Sequence, residues 1–415
     1  MSDQIGLSST QESIISILLV PSSILSILGS SAIIYNVRHD DKKTPYRRIL
    51  LGLSICDIIT SVGWMLQPFL TPTDVEEPWV YAVGNDATCT MIGAFAQFGF
   101  SAHWYNGFLS YYFLLTARFG MREDLFEKRF EYKGHAFIFL WSIATAIAGA
   151  AAGLFNPLSV VPGCWVKTCD ENGVCNSILP VWIFGGGPSM LMFLSILINN
   201  LVLFCYVRTT VVRAEKRAMR AQEDLASYPF HVKEEEVPSS QVETSKDTEK
   251  SSSFLKISGK RKREEAMLQS SENQRRRVKQ VGTQSFLYVG AYVLVNAWGF
   301  ATLSLDAIDY EQTENPAKVF FPLLVMQSIF VPSQGLFNCL IFFRPIFIQT
   351  RKKFPGQSTM WYIQKTVFRG KKVDESPSSI ENVLKPSTNE ASASSNNVGS
   401  NQTTPKLTKE SIGDA

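Results

Sequence analysis

The chain has 415 residues, 45% apolar and 12% aromatic, with 40 Lys or Arg against 37 Asp or Glu and a formal net charge of +3. No nucleic-acid partner is expected, and a mean hydropathy of +0.03 would alone still allow a soluble protein. The distribution excludes that: nearly all the charge sits in a few blocks.

Between the blocks lie seven runs: 14–35, 49–70, 91–117, 136–158, 178–206, 281–305 and 319–343. At about 1.5 Å per residue, roughly 20 residues cross a ~30 Å hydrocarbon core, and every run is long enough. Helices apolar on all sides suit lipid rather than water. The expected fold class is an all-α membrane protein, a bundle of seven transmembrane helices.

Residues 1–13 precede the first run and are too few for a separate ligand-binding domain. That run is read as a retained span, because Asp3 and Glu12 precede it where a signal peptide would carry basic residues. The second run holds the one acid among the seven, Asp57. An ionised Asp in mid-span costs about 2.5–3.5 kcal/mol, so it should face the bundle interior and have partners. Its depth, about 12 Å from the start of the run, matches that of Asn338, about 9 Å in from Arg344. A pair is expected, with Ser30, Ser54 and Ser328 adding hydroxyls. It reads either as a packing device or as a polar cluster whose bonding differs between two bundle states.

In the third run His103 and Trp104 lie near the middle, and His103 reads equally as a core group or a ligand contact. The small residues at 148–153 in the fourth run point to close helix packing. Pro188, after three glycines, should kink the fifth run, and Pro332 the seventh.

The loops set an orientation. Cations crowd the connections after runs one, three and five, the last holding 17 Lys or Arg between Arg208 and Lys279. The opposite connections carry mainly acids. The positive-inside rule then places the N-terminus outside and the C-terminus inside. Four of the seven cysteines, Cys89, Cys164, Cys169 and Cys175, fall at or beyond the outer surface. An even number there fits two disulfides, for which three pairings exist. Cys89–Cys164 with Cys169–Cys175 is favoured, since the latter closes a short loop.

The third inner loop, 207–280, should extend spans five and six as charged helices, with a disordered middle near 228–253. After the seventh run, residues 344–354 mix apolar and basic side chains and suit a short amphipathic helix on the inner leaflet; a second patch at 360–372 resembles it. The remainder of 355–415 is a tail with 13 Ser or Thr in its last 40 residues, expected to be mostly disordered. No phosphate loop, His-x-x-x-His or Cys-x-x-Cys pair is present near the inner surface, so neither enzyme activity nor a cofactor or metal is expected. Run seven has no lysine, which leaves retinal no attachment point there.

Several segments together resemble the G protein-coupled receptors, specifically their cyclic-AMP-receptor-like and secretin-like (family 2-like) branch. Arg48-Ile-Leu-Leu-Gly-Leu-Ser-Ile-Cys-Asp57 is similar to the second span of the former group. Cys89 with Cys164-Trp165 resembles a pair that the family joins by a disulfide. Ala102-His-Trp-Tyr-Asn-Gly-Phe-Leu-Ser-Tyr111 falls where these receptors have an aromatic-rich third span. Asn296-Ala-Trp298 and Pro332-Ser-Gln-Gly-Leu-Phe-Asn338 resemble elements of spans six and seven. The chain departs from the pattern at Ser110, where secretin-like receptors keep an acid, and at Thr116-Ala-Arg118, which replaces Asp-Arg-Tyr. With only 13 residues ahead of the first run, the large outer hormone-binding domain of the secretin-like group is not expected.

The resemblance implies a surface receptor that couples an outer ligand to a heterotrimeric G protein. Asp57, Asn338 and Trp298 would form an intramembrane switch. His103, Trp104 and Trp165 would line a ligand cavity. Arg118, Arg213 and Lys279 would meet the G protein as the inner ends of spans five and six part. Phosphates on the tail would recruit a kinase-dependent, arrestin-like partner. The plasma membrane is the expected location. The alternative is a seven-span small-solute transporter or channel.

Overall fold

A computed structural model describes residues 7–40, 44–75, 78–158, 161–167, 178–226, 247–306 and 316–367. Helix α1 (Ser9–His39) starts at Ser8, which forms a reciprocal capping box with Gln11. Helix α2 (Pro45–Leu70) opens on proline, whose missing N–H would have no partner in a first turn anyway. Among the described residues, six helices are long and apolar enough to cross a membrane: Ser9–His39, Pro45–Leu70, Glu123–Ala151, Trp182–Arg220, Val278–Thr302 and Phe320–Lys353. The chain is an integral, multi-pass membrane protein. Leu28, Leu140, Leu191 and Leu201 accordingly face outward, each more than 60% exposed.

The third run differs from the single rod expected. Helices α3 (Asp86–Gly99) and α4 (Ser101–Phe113) are separated at Phe100, and α4 passes into a wider π turn at Leu114–Arg118. Each piece is only about 20 Å long, so neither stands among the six.

Helix α5 (Glu123–Phe126) leads through a π turn into α6 (Tyr132–Ala151). A hairpin of β1 (Phe155–Pro157) and β2 (Cys164–Val166) follows, with Phe155 opposite Val166. Helix α7 (Ile178–Val181) and a π turn (Trp182–Gly186) precede α8 (Gly187–Ala226). Then come α9 (Asp247–Asp306), α10 (Pro316–Phe330), a 3₁₀ turn at Val331–Ser333, α11 (Gln334–Lys353) and α12 (Thr359–Val367). Helix α1 packs on α2, α10 and α11, α4 on α2 and α8, and α9 on α8 and α10. Leu50, Leu53, Tyr105, Tyr112, Phe113 and Tyr288 fill the shared core.

Three local expectations are corrected. The small-residue run 148–153 is not a helix–helix contact: only Gly149 is buried there. Phe155 lies between Gly149 and Gly93, where added Cβ atoms would fall 2.5 Å from its ring and 2.6 Å from its Cβ respectively. The segment 344–353 is no separate helix, because α11 continues through Pro345. A separate short helix, α12, comes later and is fastened by the Tyr362 hydroxyl donating to the Phe354 carbonyl. Residues 227–246, most of the loop middle expected to be disordered, lie outside the described residues, but from Asp247 the chain is helical.

Candidate functional site

Asp57 is 2% exposed, and Asn338 Nδ2 donates to its Oδ2 at 2.8 Å. The pair joins α2 to α11. A turn further along α2, the Ser61 hydroxyl donates to Ser26 Oγ of α1 at 2.9 Å, and the Gly335 amide donates to the same oxygen at 2.9 Å. That amide is free because the 3₁₀ turn at Pro332 interrupts the helix between α10 and α11. Gly335 also permits the close approach: a Cβ there would lie 2.6 Å from the Ser26 carbonyl. Three helices thus meet at a buried, hydrogen-bonded polar centre. Ser30 and Ser54 are buried nearby, whereas Ser328 turns back to the Leu324 carbonyl of its own helix. Trp298 is not in this centre. It stacks on Phe330 (5.9 Å between centroids), which stacks on Phe337 (6.1 Å).

The three residues expected to share a cavity divide. His103 Nε2 donates to Asn296 Oδ1 at 2.8 Å. Its ring stacks on Phe100, and Phe100 stacks on Trp165. Trp104 instead packs against Phe137 and Trp141 of α6. Adjacent helix positions differ by about 100°, so the His103 and Trp104 side chains leave α4 in different directions. The Trp165 indole donates to Gln97 Oε1 at 3.0 Å, and the Gln97 amide donates to the Phe184 carbonyl at 2.8 Å. Gly185 makes room for that indole, since a Cβ would lie 2.1 Å from it.

Cys89 and Cys164 form a disulfide that ties α3 to β2. Cys169 and Cys175 lie outside the described residues. Cys56, Cys205 and Cys339 are free thiols.

At the other end of the bundle, Arg118 lies over the Tyr206 ring of α8, 5.1 Å from its centroid. Arg213 and Lys279 are exposed on α8 and α9. The Arg275–Glu215 ion pair joins these two helices.

No protein-family model and no curated protein matches the chain. Its fold is similar to that of squid rhodopsin. That likeness covers 92% of this chain and 93% of the squid protein, with a TM-score of 0.52 and 14% sequence identity. At such an identity it is a likeness of fold.

Three further sets of side chains are brought together that the sequence reading missed. Arg48 of α2 binds Glu131 and Glu127; Glu131 is 5% exposed. His135 lies one turn on, 3.9 Å from Glu131, and its Nδ1 is 2.7 Å from the Tyr105 hydroxyl. The Tyr105 ring returns to α2 against Gly52, closing a ring of contacts across α2, α4 and α6. In the second set, Asn200 of α8 donates to Ser110 Oγ of α4 at 2.9 Å and accepts from Ser285 Oγ of α9 at 2.8 Å. In the third, the hydroxyls of Tyr46 and Tyr288 are 3.2 Å apart. Asn200 carried a signal, being an amide inside an apolar run, as Asp57 is an acid inside one. Glu131 carried none, because it sits among other charges in a mixed stretch.

Proposed function

We propose that the protein is a cell-surface receptor in which an outer ligand biases the bundle between two packings and a heterotrimeric G protein binds the inner face. In this reading α3 and α4 together make the third of seven spans, the N-terminus is outside, and α12 lies against the inner leaflet. The observation that carries it is the buried Asp57–Asn338 bond, joining α2 to α11 in a fold similar to squid rhodopsin over nearly its whole length. A polar pair that costs free energy to bury is well placed to report a change in the packing around it.

Asp57, Asn338 and the Trp298 stack form the switch, and the space near His103 and Trp165 takes the ligand. Arg118, Arg213 and Lys279 meet the G protein, and the Ser/Thr tail takes phosphates that recruit an arrestin-like partner. The motif resemblance favours the cyclic-AMP-receptor-like and secretin-like branch and, with it, the plasma membrane, and the cation distribution favours an orientation with the basic face inside. Retinal is not the ligand class favoured, because run 319–343 has no lysine. A ligand must bind the two states with different affinity to shift them.

The test is a ligand screen read through a promiscuous co-expressed G protein, with guanine-nucleotide exchange as the signal. Ligand-dependent exchange supports the reading. Solute flux in proteoliposomes without any G protein, together with no exchange, rejects it.

A further inference from the structure

The third run holds no acid, and Ser110 lies in its inner half, so a buried tie from it to the other helices must be built from uncharged chemistry. The inner half of α9 supplies it. Gln284, Ser285 and Tyr288 are each at most 3% exposed, and each binds a different helix. Gln284 Nε2 donates to the Ile341 carbonyl of α11 at 2.9 Å. Ser285 donates to Asn200 of α8, which in turn donates to Ser110 of α4. Tyr288 meets Tyr46 of α2, hydroxyl to hydroxyl. Every member is uncharged.

Beside these bonds lies a small cavity lined by Asn106, Ser110, Ser285, Tyr288 and Tyr292 together with apolar side chains. Its volume admits about one water molecule. The Tyr292 hydroxyl, buried on its wall, has no hydrogen-bond partner among the described residues. A buried hydroxyl left so is costly unless something polar reaches it.

We propose that Tyr46–Tyr288 and Ser110–Asn200–Ser285 form an uncharged lock that holds the inner end closed and is released by hydration from the adjoining cavity. This rests on the receptor reading for its role in signalling, though not for its existence as a mechanical device. The chemistry is direct. Moving α9 away from α2 and α4 strips hydroxyl and amide groups of their partners, and water entering at the cavity re-bonds them one for one. None of these bonds is an ion pair, so their share of the closed–open balance is insensitive to salt, unlike that of the exposed Arg275–Glu215 pair between α8 and α9. Asn200 binds both neighbours at once, so it fixes where α4, α8 and α9 meet.

The test uses full-length protein in nanodiscs, with Cys205→Ser as background and spin labels at Lys128→Cys and Lys279→Cys, both exposed positions. Distances between the labels report α9 against the α5–α6 turn and need neither ligand nor G protein. Tyr46→Phe and Tyr288→Phe each keep the ring and remove one side of the hydroxyl pair. Each should raise the ratio of long to short distances about two- to tenfold, the range expected for one net hydrogen bond. Ser110→Ala should act in the same direction through Asn200, and serves if a tyrosine variant does not fold. Thr283→Ala, whose hydroxyl binds only its own helix at Lys279, should change nothing. Unchanged distances in the tyrosine and Ser110 variants overturn the lock, as does a shift on raising salt from 0.1 to 1 M once Glu215→Gln has removed the exposed Arg275–Glu215 pair. Failure of the receptor reading would show separately, as absence of nucleotide exchange with the distance shifts intact.

Discussion

The carboxyl of Asp57 accepts a 2.8 Å hydrogen bond from the amide of Asn338, 281 residues further along the chain. Both groups are 2% exposed, so neither can turn to water if the other is removed. Asn338→Ala therefore strands a buried carboxyl and should cost about 1–3 kcal/mol, read as a lower melting temperature in detergent. Asp57→Asn keeps a hydrogen-bonding side chain. It should leave surface expression mostly intact while altering the response to whatever ligand the screen finds. Loss of expression instead would make the pair a packing device.

The disulfide between Cys89 and Cys164 closes a separation of 75 residues. Cys164→Ser should cost about 2–4 kcal/mol, seen as earlier thermal unfolding. Since β2 also carries Trp165, the variant should raise hydrogen exchange at Gln97. Thiol counting on the native protein checks the second expected bridge: three reactive groups after denaturation if Cys169 and Cys175 are paired, five if they are not.

Arg48 stands between two carboxylates, and the more buried of them, Glu131, is almost closed to solvent. Removing the cation leaves that acid uncompensated. Arg48→Met should destabilise by about 1–3 kcal/mol, less than for a fully buried pair because the arginine is partly solvated. Adding Glu131→Gln to Arg48→Met should recover part of the loss. A double variant no better than the single one would show that packing of the arginine stem, rather than its charge, matters.

Gly52 has no room for a side chain, because a Cβ would lie 2.5 Å from the fully buried Tyr105 ring. Gly52→Ala should cost about 1–3 kcal/mol through overpacking. A Cβ added at Gly290, on α9, would meet no other helix within 4 Å among the described residues; there the change to alanine should instead gain about 0.5–1 kcal/mol of helix stability. Opposite signs in thermal unfolding would support both environments.

Much of the fold was legible because lipid simplifies the code. An apolar run must satisfy its backbone internally, so length and hydropathy suffice to identify a helix. The break at Phe100 was not legible, because nothing in 91–117 marks it: no proline or charge occurs there. Nor was the role of residues 148–153, where the glycine accommodates a phenylalanine ring from the following strand rather than another helix.

By itself the sequence determined that the chain is helical, crosses a membrane several times, and places an acid and an amide at matching depths. Those properties depend on composition along one dimension and on the 1.5 Å rise of a helix. Only the tertiary structure decided which polar groups meet: that His103 faces Asn296 while its neighbour Trp104 faces α6, and that Tyr46 finds Tyr288. The physical reason is rotational. Hydropathy reports how deep a side chain lies, but its azimuth around the helix, and hence its partner, is set by how the helices pack.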